Sequence, residues 1–394
     1  MTHPKLCVRL TVFAALVLTM PALCAESFSN PYRIPTPVDP AMVAVGNLNS
    51  DSIADFVWED PSTSPVTLNV LLSQPGGGWL SGASITFPVV TTRNPECLIA
   101  DLNNDGKQDL VCASAYQFTT YIHVFLGNGD GTFQPPVTTA LSTDSGSWAI
   151  PIIASEGDLN GDGFSDLFWE DAPSQQSVIL LSDGKGGFKP PIPVPSTINY
   201  TPPVAADVNG DGIPDLLYPD GPEVALGKGD GSFGPIANYS ETSYYNAICT
   251  FYDMERDGHL DAVCGFEGGY YVNMQGESDL IILHGNPDGS FNTSPIATKT
   301  FGDGNTEFDG YGTFKYPLAV ADLNGDGIPD IMAASGDGLA VLLGGPGLTF
   351  STPLHYAQAV VTDGASVEGF YQSLIFDVNG DGIPDAVNAG PNGI

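Results

Sequence analysis

After its first twenty-five residues the chain alternates short apolar runs with turns rich in Gly, Asn and Asp, and no stretch carries the 3.6-residue apolar period of a helix. A representative stretch reads LVCAS over 110–114, an apolar run over 121–126, the turn GNGDGTF ending at Phe133, and then QPPVTTAL. Runs of four to eight residues rich in Val, Ile, Leu and aromatics, bounded by turn formers, predict hairpin-connected strands. The turn and its trailing aromatic recur as GKGGF at Phe188, GDGSF at Phe233, PDGSF at Phe291 and PGLTF at Phe350, with GGGW ending at Trp79 in the same place earlier. Each unit reads as about four strands.

Between these hairpins a nine-residue acidic loop returns seven times. The complete copies are DLNNDGKQD from Asp101, DLNGDGFSD from Asp158, DVNGDGIPD from Asp207, DLNGDGIPD from Asp322 and DVNGDGIPD from Asp377. DMERDGHLD from Asp253 is rewritten and NLNSDSIAD from Asn47 is degraded. Loop starts lie 46 to 69 residues apart, the period of an array or propeller built from one repeated unit. Four strands per repeat match a propeller blade, so the expected fold is an all-β, seven-bladed β-propeller over 26–394. Six units carry the whole pattern and the seventh breaks off at Ile394. The segment from Ser27 resembles the stretch after the turn aromatic in other repeats, such as SFNTSPIATKT from Ser290, and is expected to close the ring as the last strand of the seventh blade. Either that blade lacks a strand or the sequence is truncated at its C-terminus.

The loop composition points to a hard cation. Calcium takes six to eight oxygens at roughly 2.3–2.6 Å, and side chains at loop positions 1, 3, 5 and 9 with the carbonyl at position 7 can supply them. The expected ligand sets are Asp101, Asn103, Asp105, Lys107 and Asp109; Asp158, Asn160, Asp162, Phe164 and Asp166; Asp207, Asn209, Asp211, Ile213 and Asp215; Asp322, Asn324, Asp326, Ile328 and Asp330; and Asp377, Asn379, Asp381, Ile383 and Asp385. The rewritten loop keeps Asp253, Glu255, Asp257, His259 (by its carbonyl) and Asp261; the degraded loop offers Asn47, Asn49, Asp51 and Asp55. Five to seven Ca2+ sites are expected. No thiolate or imidazole side chain stands at a ligand position, which disfavours zinc and copper. An EF-hand is excluded, because position 12 is Cys112, Trp169 or Tyr218 rather than Glu, and Pro214, Pro329 and Pro384 precede the ninth-position aspartate. The competing reading is a set of ordinary Asp/Asn/Gly turns.

The pairing of DxNxDGxxD with GxGDGxF over 27–394 resembles the FG-GAP/VCBS repeat family, known from the seven-bladed propeller of integrin α subunits and from some fungal propeller lectins. That resemblance implies that the acidic loop joins the first two strands of a blade and holds calcium on one face. It also implies that the segments joining blades gather on the opposite face, where integrin-type propellers bind ligands. Those segments are unusually aromatic: Trp148, Tyr200, Tyr244, Tyr245, Phe308, Tyr311, Phe314, Tyr316, Phe370 and Tyr371. Rings among Ser, Thr, Asn and Asp suit stacking on sugars or holding a peptide, or else they plug the central channel.

The cysteines and the first residues point to a location outside the cytosol. Lys5 and Arg9, an apolar run over 10–18 and small residues up to Ala25 read as a secretory signal peptide over 1–25, so a secreted, periplasmic or cell-surface location is expected. That run is too short to cross a bilayer and no second one comes after it. Cys97 and Cys112, like Cys249 and Cys264, take matching positions around their loops, where other repeats hold Val43 with Trp58, Ala154 with Trp169 and Leu318 with Ala333. The register predicts two disulfides, Cys97–Cys112 and Cys249–Cys264, each stapling a hairpin; two pairs of reduced core thiols are the competing reading.

The formal charge of −35 excludes nucleic acid and acidic membranes as partners. Hydrophobic content of 42% with 14% charged residues argues for a packed core rather than disorder. The seven loops hold 21 of the 46 acidic residues, so the charge belongs to one recurrent device. No nucleophile elbow, zinc motif, phosphate loop or dinucleotide fingerprint occurs, and His123, His259, His284 and His355 are scattered over different repeats. The expected role is recognition or adhesion toward carbohydrate or an extracellular protein, by a monomer. A polysaccharide-cleaving hydrolase or lyase on the same scaffold, or a structural module of a larger surface protein, is the alternative.

Overall fold

The computed structural model describes residues 41–60, 63, 66–75, 78–87, 96–116, 119–142, 152–171, 176–194, 203–219, 221–239, 247–266, 278–301, 319–335, 338–352, 354–357, 372–376 and 385–389. Among them there is no helix; the chain is all-β. Six four-stranded antiparallel sheets succeed one another, opening at Ala41–Gly46, Glu96–Ala100, Ile152–Gly157, Val204–Ala206, Ala247–Tyr252 and Ala319–Ala321, and a strand pair, Gln372–Phe376 with Asp385–Ala389, comes after them. Strand order within each sheet is the order of the chain. The second sheet is typical: Glu96–Ala100, Asp109–Tyr116, Thr119–Phe125 and Val137–Ser142. Residues 1–40, with the expected signal peptide and closing strand, lie outside the described residues, as do 377–384.

The sheets meet through their first strands. Glu96–Ala100 lies beside both Ala41–Gly46 and Ile152–Gly157, the last also beside Val204–Ala206; Ala319–Ala321 lies beside both Ala247–Tyr252 and Gln372–Phe376. This is a propeller-like arrangement, and it explains why each second strand follows its opening aspartate with two or more consecutive apolar residues rather than alternating. Asp215–Tyr218 is buried at every residue because its sheet shares one core with the sheet before it and another with the sheet after it.

Five cores therefore form between sheets. Each combines residues from two successive repeats and contains a pair legible only in the tertiary structure: the apolar second residue of one acidic loop and the turn aromatic of the next repeat. The pairs are Leu48 with Phe133, Leu102 with Phe188, Leu159 with Phe233, Val208 with Phe291, and Met254 with Phe350. Hydrogen bonds to the backbone reinforce two of these joints, since Gly131 N–H donates to the Leu48 carbonyl at 3.0 Å and Ser182 Oγ to the Leu102 carbonyl at 2.9 Å. Leu102 is fully buried, a contribution of about 2 kcal/mol to the joint.

The antiparallel order puts both turns of a repeat at one end of its sheet. The acidic loop links strands one and two, and the GxGDGxF turn links strands three and four, closed by bridges such as Gly127 to Phe133 and Gly227 to Phe233. Trp79 holds the same place opposite Ser73. The chain departs for the next sheet from the other end.

The two disulfides are present. Cys97–Cys112 and Cys249–Cys264 join facing residues, with Cα atoms 4.1 and 4.0 Å apart. Both hairpins pair without a shift. In the first and third sheets a bulge intervenes, so Trp58 faces Met42 rather than Val43, and Trp169 faces Ile153 rather than Ala154. One extra residue on the first strand displaces the register there.

Candidate metal centres

In the second loop the chain folds its side chains inward onto its own amides. Asp105 N–H donates to Asp101 Oδ1 (3.2 Å) and Asn103 Oδ1 (3.0 Å), Gly106 N–H to Asp101 Oδ2 (2.9 Å), and Lys107 N–H to Asp105 Oδ1 (2.9 Å). The third, fourth and sixth loops repeat this frame with Asp158, Asn160 and Asp162, with Asp207, Asn209 and Asp211, and with Asp322, Asn324 and Asp326. The amides of Phe164, Ile213 and Ile328 at position 7 each donate to the position-5 aspartate. Two residues per loop must take left-handed backbone. Position 6 is Gly106 at φ 80°, and position 4 is Asn104 at φ 54°, which explains the Gly or Asn that recurs there.

The ninth-position aspartates behave differently from the other three. Asp55, Asp109, Asp166, Asp215, Asp261 and Asp330 are fully buried. Each carboxylate bridges the two turns of its repeat: Asp109 Oδ2 accepts from Leu102 N–H at 3.0 Å and Oδ1 from Gly127 N–H at 2.8 Å. Ser73, Ser182, Gly227, Gly285 and Gly344 take the place of Gly127 in the other repeats. Burial, with the nearby loop carboxylates, pushes Asp55, Asp109 and Asp166 up to about 6, against the lowering effect of those amides; Asp215, Asp261 and Asp330 are raised for the same reasons. These residues are clamps as well as expected ligands. A carboxylate has about four lone-pair sites, so two amide bonds leave acceptor capacity for a cation.

The degraded first loop keeps part of the frame. Asn47 has one acceptor oxygen, which takes Asp51 N–H at 3.2 Å, while Asn49 Oδ1 takes the same amide at 3.1 Å. Ser52 sits at φ 70° where the complete loops have glycine. The seventh loop, with Asp377, Asn379, Asp381 and Ile383, lies outside the described residues; Asp385 begins a strand.

The rewritten fifth loop brings in a residue the sequence pattern had not assigned. Asp253 still accepts from Asp257 N–H and Gly258 N–H, and His259 N–H still meets Asp257 Oδ1. Opposite them His284 Nδ1 lies 2.5 Å from Glu255 Oε2, 3.6 Å from Asp261 Oδ1 and 4.0 Å from Asp257 Oδ2. The ligand atoms of Glu255, Asp257 and His284 all fall within 4.8 Å of one another. Five other repeats have leucine where His284 stands, at Leu72, Leu126, Leu181, Leu226 and Leu343, each just before the residue whose amide meets the buried aspartate. That exception was visible in the sequence, but only once the turn was known to face the loop.

One further polar cluster lies within the second sheet. His123 lies between Ser114 Oγ (2.8 Å) and Thr138 Oγ1 (2.9 Å). Ser114 and His123 are buried, and burial holds the imidazole down at about 4, so it stays neutral inside the second sheet. The imidazole itself has no exposed surface, while Thr138 beside it is exposed. The expected aromatic ligand surface, Trp148, Tyr200, Tyr244, Tyr245, Phe308, Tyr311, Phe314, Tyr316, Phe370 and Tyr371, lies outside the described residues.

The same repeats are found in known proteins. Residues 101–169, 158–218 and 322–388 match the FG-GAP-like repeat model. Over 135 residues the chain is 32% identical to integrin alpha-3 of Mus musculus, covering 32% of this chain and 13% of the integrin. Over 105 residues it is 34% identical to integrin alpha-3 of Cricetulus griseus, covering 25% of this chain and 10% of that one. The match thus spans only about a tenth of the length of these relatives. These matches support FG-GAP-like repeats within the chain and a resemblance to integrin α over part of its length. Among solved structures, an Agrocybe aegerita lectin, described as recognising non-reducing terminal N-acetylglucosamine, shares the fold with a TM-score of 0.58 at 21% identity, covering 82% of this chain and 81% of that one.

Proposed function

We propose that this protein is a secreted, calcium-stabilised, seven-bladed propeller that recognises carbohydrate. The observation that carries the reading is the repeated loop frame, in which the carboxylates at positions 1 and 5 and the amide oxygen at position 3 crowd onto the loop's own amides beside a buried carboxylate at position 9. Unneutralised, the carboxylates repel one another; a bound cation reverses the sign of that interaction. Calcium is thereby assigned to the complete loops as a clamp that holds both turns of a repeat, and with them the joint to the next repeat.

Recognition then falls to the opposite end of the sheets, where the chain leaves each repeat and where the aromatic segments begin. The fold likeness to a sugar-binding lectin favours carbohydrate over a protein ligand. The two disulfides, and the lack of any helix long and apolar enough to cross a membrane among the described residues, agree with an extracellular setting reached through a signal peptide over 1–25. Six sheets and the pair Gln372–Phe376/Asp385–Ala389 account for seven repeats, with the segment from Ser27 assigned to close the last.

A glycan array probed with the purified protein in calcium tests this. Binding to a defined set of glycans that is lost on Tyr311→Ala with Phe314→Ala, at an unchanged melting curve, is the expected result. A blank array overturns the carbohydrate reading, and pull-down of an extracellular protein would then assign the ligand to the other class.

A further inference from the structure

We infer that the fifth repeat holds a first-row divalent transition ion, of the zinc class, between Glu255, Asp257 and His284. This site takes over Glu255 and Asp257, which the loop pattern alone offers to calcium, and it does not rest on calcium in the complete loops. Two departures from the repeat, 29 residues apart in sequence, meet in space: glutamate replaces Asn at loop position 3, and histidine replaces the leucine of the facing turn. Either change alone would leave a loop with one extra charge or a turn with one stray imidazole. Together they set a nitrogen donor against two carboxylates.

The geometry suits an ion bound by borderline ligands. Two donors about 2.1 Å from a tetrahedral ion lie roughly 3.4 Å apart, and the His284 Nδ1 separations from Glu255 Oε2 and Asp257 Oδ2, 2.5 and 4.0 Å, bracket that value. An imidazole nitrogen with carboxylates suits zinc and its neighbours, whereas calcium favours an all-oxygen shell. The buried Asp261, 3.6 Å from Nδ1, adds negative charge from below without leaving its amides.

The site is open on one side. Glu255 also lines a groove of about 270 Å³, shared with Arg256, Pro329, Pro346 and Leu348, where the fifth loop meets the turn of the sixth repeat. Three protein ligands leave at least one coordination position, as in zinc sites that exchange water or bind a further ligand. The alternative is a plain hydrogen-bonded ion pair between His284 and Glu255, which would need no metal.

Zinc titration by calorimetry, in buffer with excess calcium to fill the oxygen-ligated loops, separates these. The expected result is one tight equivalent of Zn2+ in the full-length protein, weakened at least about tenfold in His284→Leu, because even groups that only orient a metal ligand change affinity by 10–100-fold. That substitution installs the residue of the other repeats, so the fold is expected to survive, as circular dichroism and melting would show. Glu255→Gln gives a second, isosteric loss should His284→Leu not fold, and His355→Gln in the sixth sheet is expected to bind as the unaltered protein does. No tight equivalent in the unaltered protein, or undiminished binding in the His284 and Glu255 variants, overturns the inference. Absence of calcium binding elsewhere would leave the zinc result unaffected, so the two readings fail separately.

Discussion

The second and fifth acidic loops stand on the same scaffold and differ in what they offer a cation. Each joins the first two strands of its sheet, each is stapled by a disulfide between facing cysteines, and each ends in a fully buried aspartate that ties the loop to the turn beyond it. In the second loop every donor atom the side chains offer a cation is oxygen, and the facing turn contributes Leu126. In the fifth, Glu255 reaches toward His284 at that same turn position. Clamp and staple belong to the fold; the exposed positions can be rewritten without disturbing either. The repeat therefore separates stability from specificity within nine residues.

Removing cations gives the largest expected effect. Each occupied loop adds about 2.7 kcal/mol when the free ion is at 100 times its Kd, so excess EDTA should lower the melting temperature by many degrees. An unchanged melting curve would abolish the calcium assignment for the second loop and its regular relatives. Substituting the buried clamp comes next. Asp109→Ala or Asp261→Ala strands at least two amides apiece, a loss of about 2–6 kcal/mol by urea denaturation, equal in both repeats if the clamp is common to them. The exposed Asp105→Ala should cost far less in metal-free protein.

Reduction of either disulfide should cost about 3 kcal/mol, the chain-entropy value for a loop of 15 residues. A much smaller loss in one repeat than in the other would show that the two hairpins are not equivalent. A pH dependence distinguishes the two sheets next. Cys112 faces His123 in the second sheet, whereas Cys264 faces Ile281 in the fifth. Because burial holds the His123 pKa at about 4, below the ordinary value of 6.5, the unfolded chain binds a proton across that window that the folded chain does not. His123 thus contributes a loss of stability as pH drops from about 6.5 toward 4, opposite in sign to the buried aspartates with raised pKa, so the difference between the unaltered protein and His123→Ile across that window isolates it. The smallest effect is at loop position 4. Arg256 holds φ 58° where the third loop uses Gly161, so Arg256→Gly should raise stability by roughly 0.5 kcal/mol, the left-handed penalty less the entropy of glycine.

Much of this was legible in the residues. The acidic loop, the aromatic turn, their order along each repeat and both disulfides can be read from spacing alone, because a hairpin is local and a repeat shows its own register. The bulges that shift Trp58 and Trp169 were not, since one extra residue on a first strand leaves no mark in an apolar pattern. Nor was the double duty of Asp109 and its counterparts. A ninth aspartate reads as one more ligand until the turn of strands three and four is folded against it.

The sequence by itself determined the repeat, the all-β class and the stock of oxygen donors, each set by contacts within a few tens of residues. Tertiary structure alone decided which groups meet across repeats. It put Leu102 in one core with Phe188 and Met254 in one core with Phe350, and it brought His284 to Glu255. Those meetings depend on how the turns of a sheet and the faces of neighbouring sheets close against each other. Burial and distance create them, and neither is written at a single position of the chain.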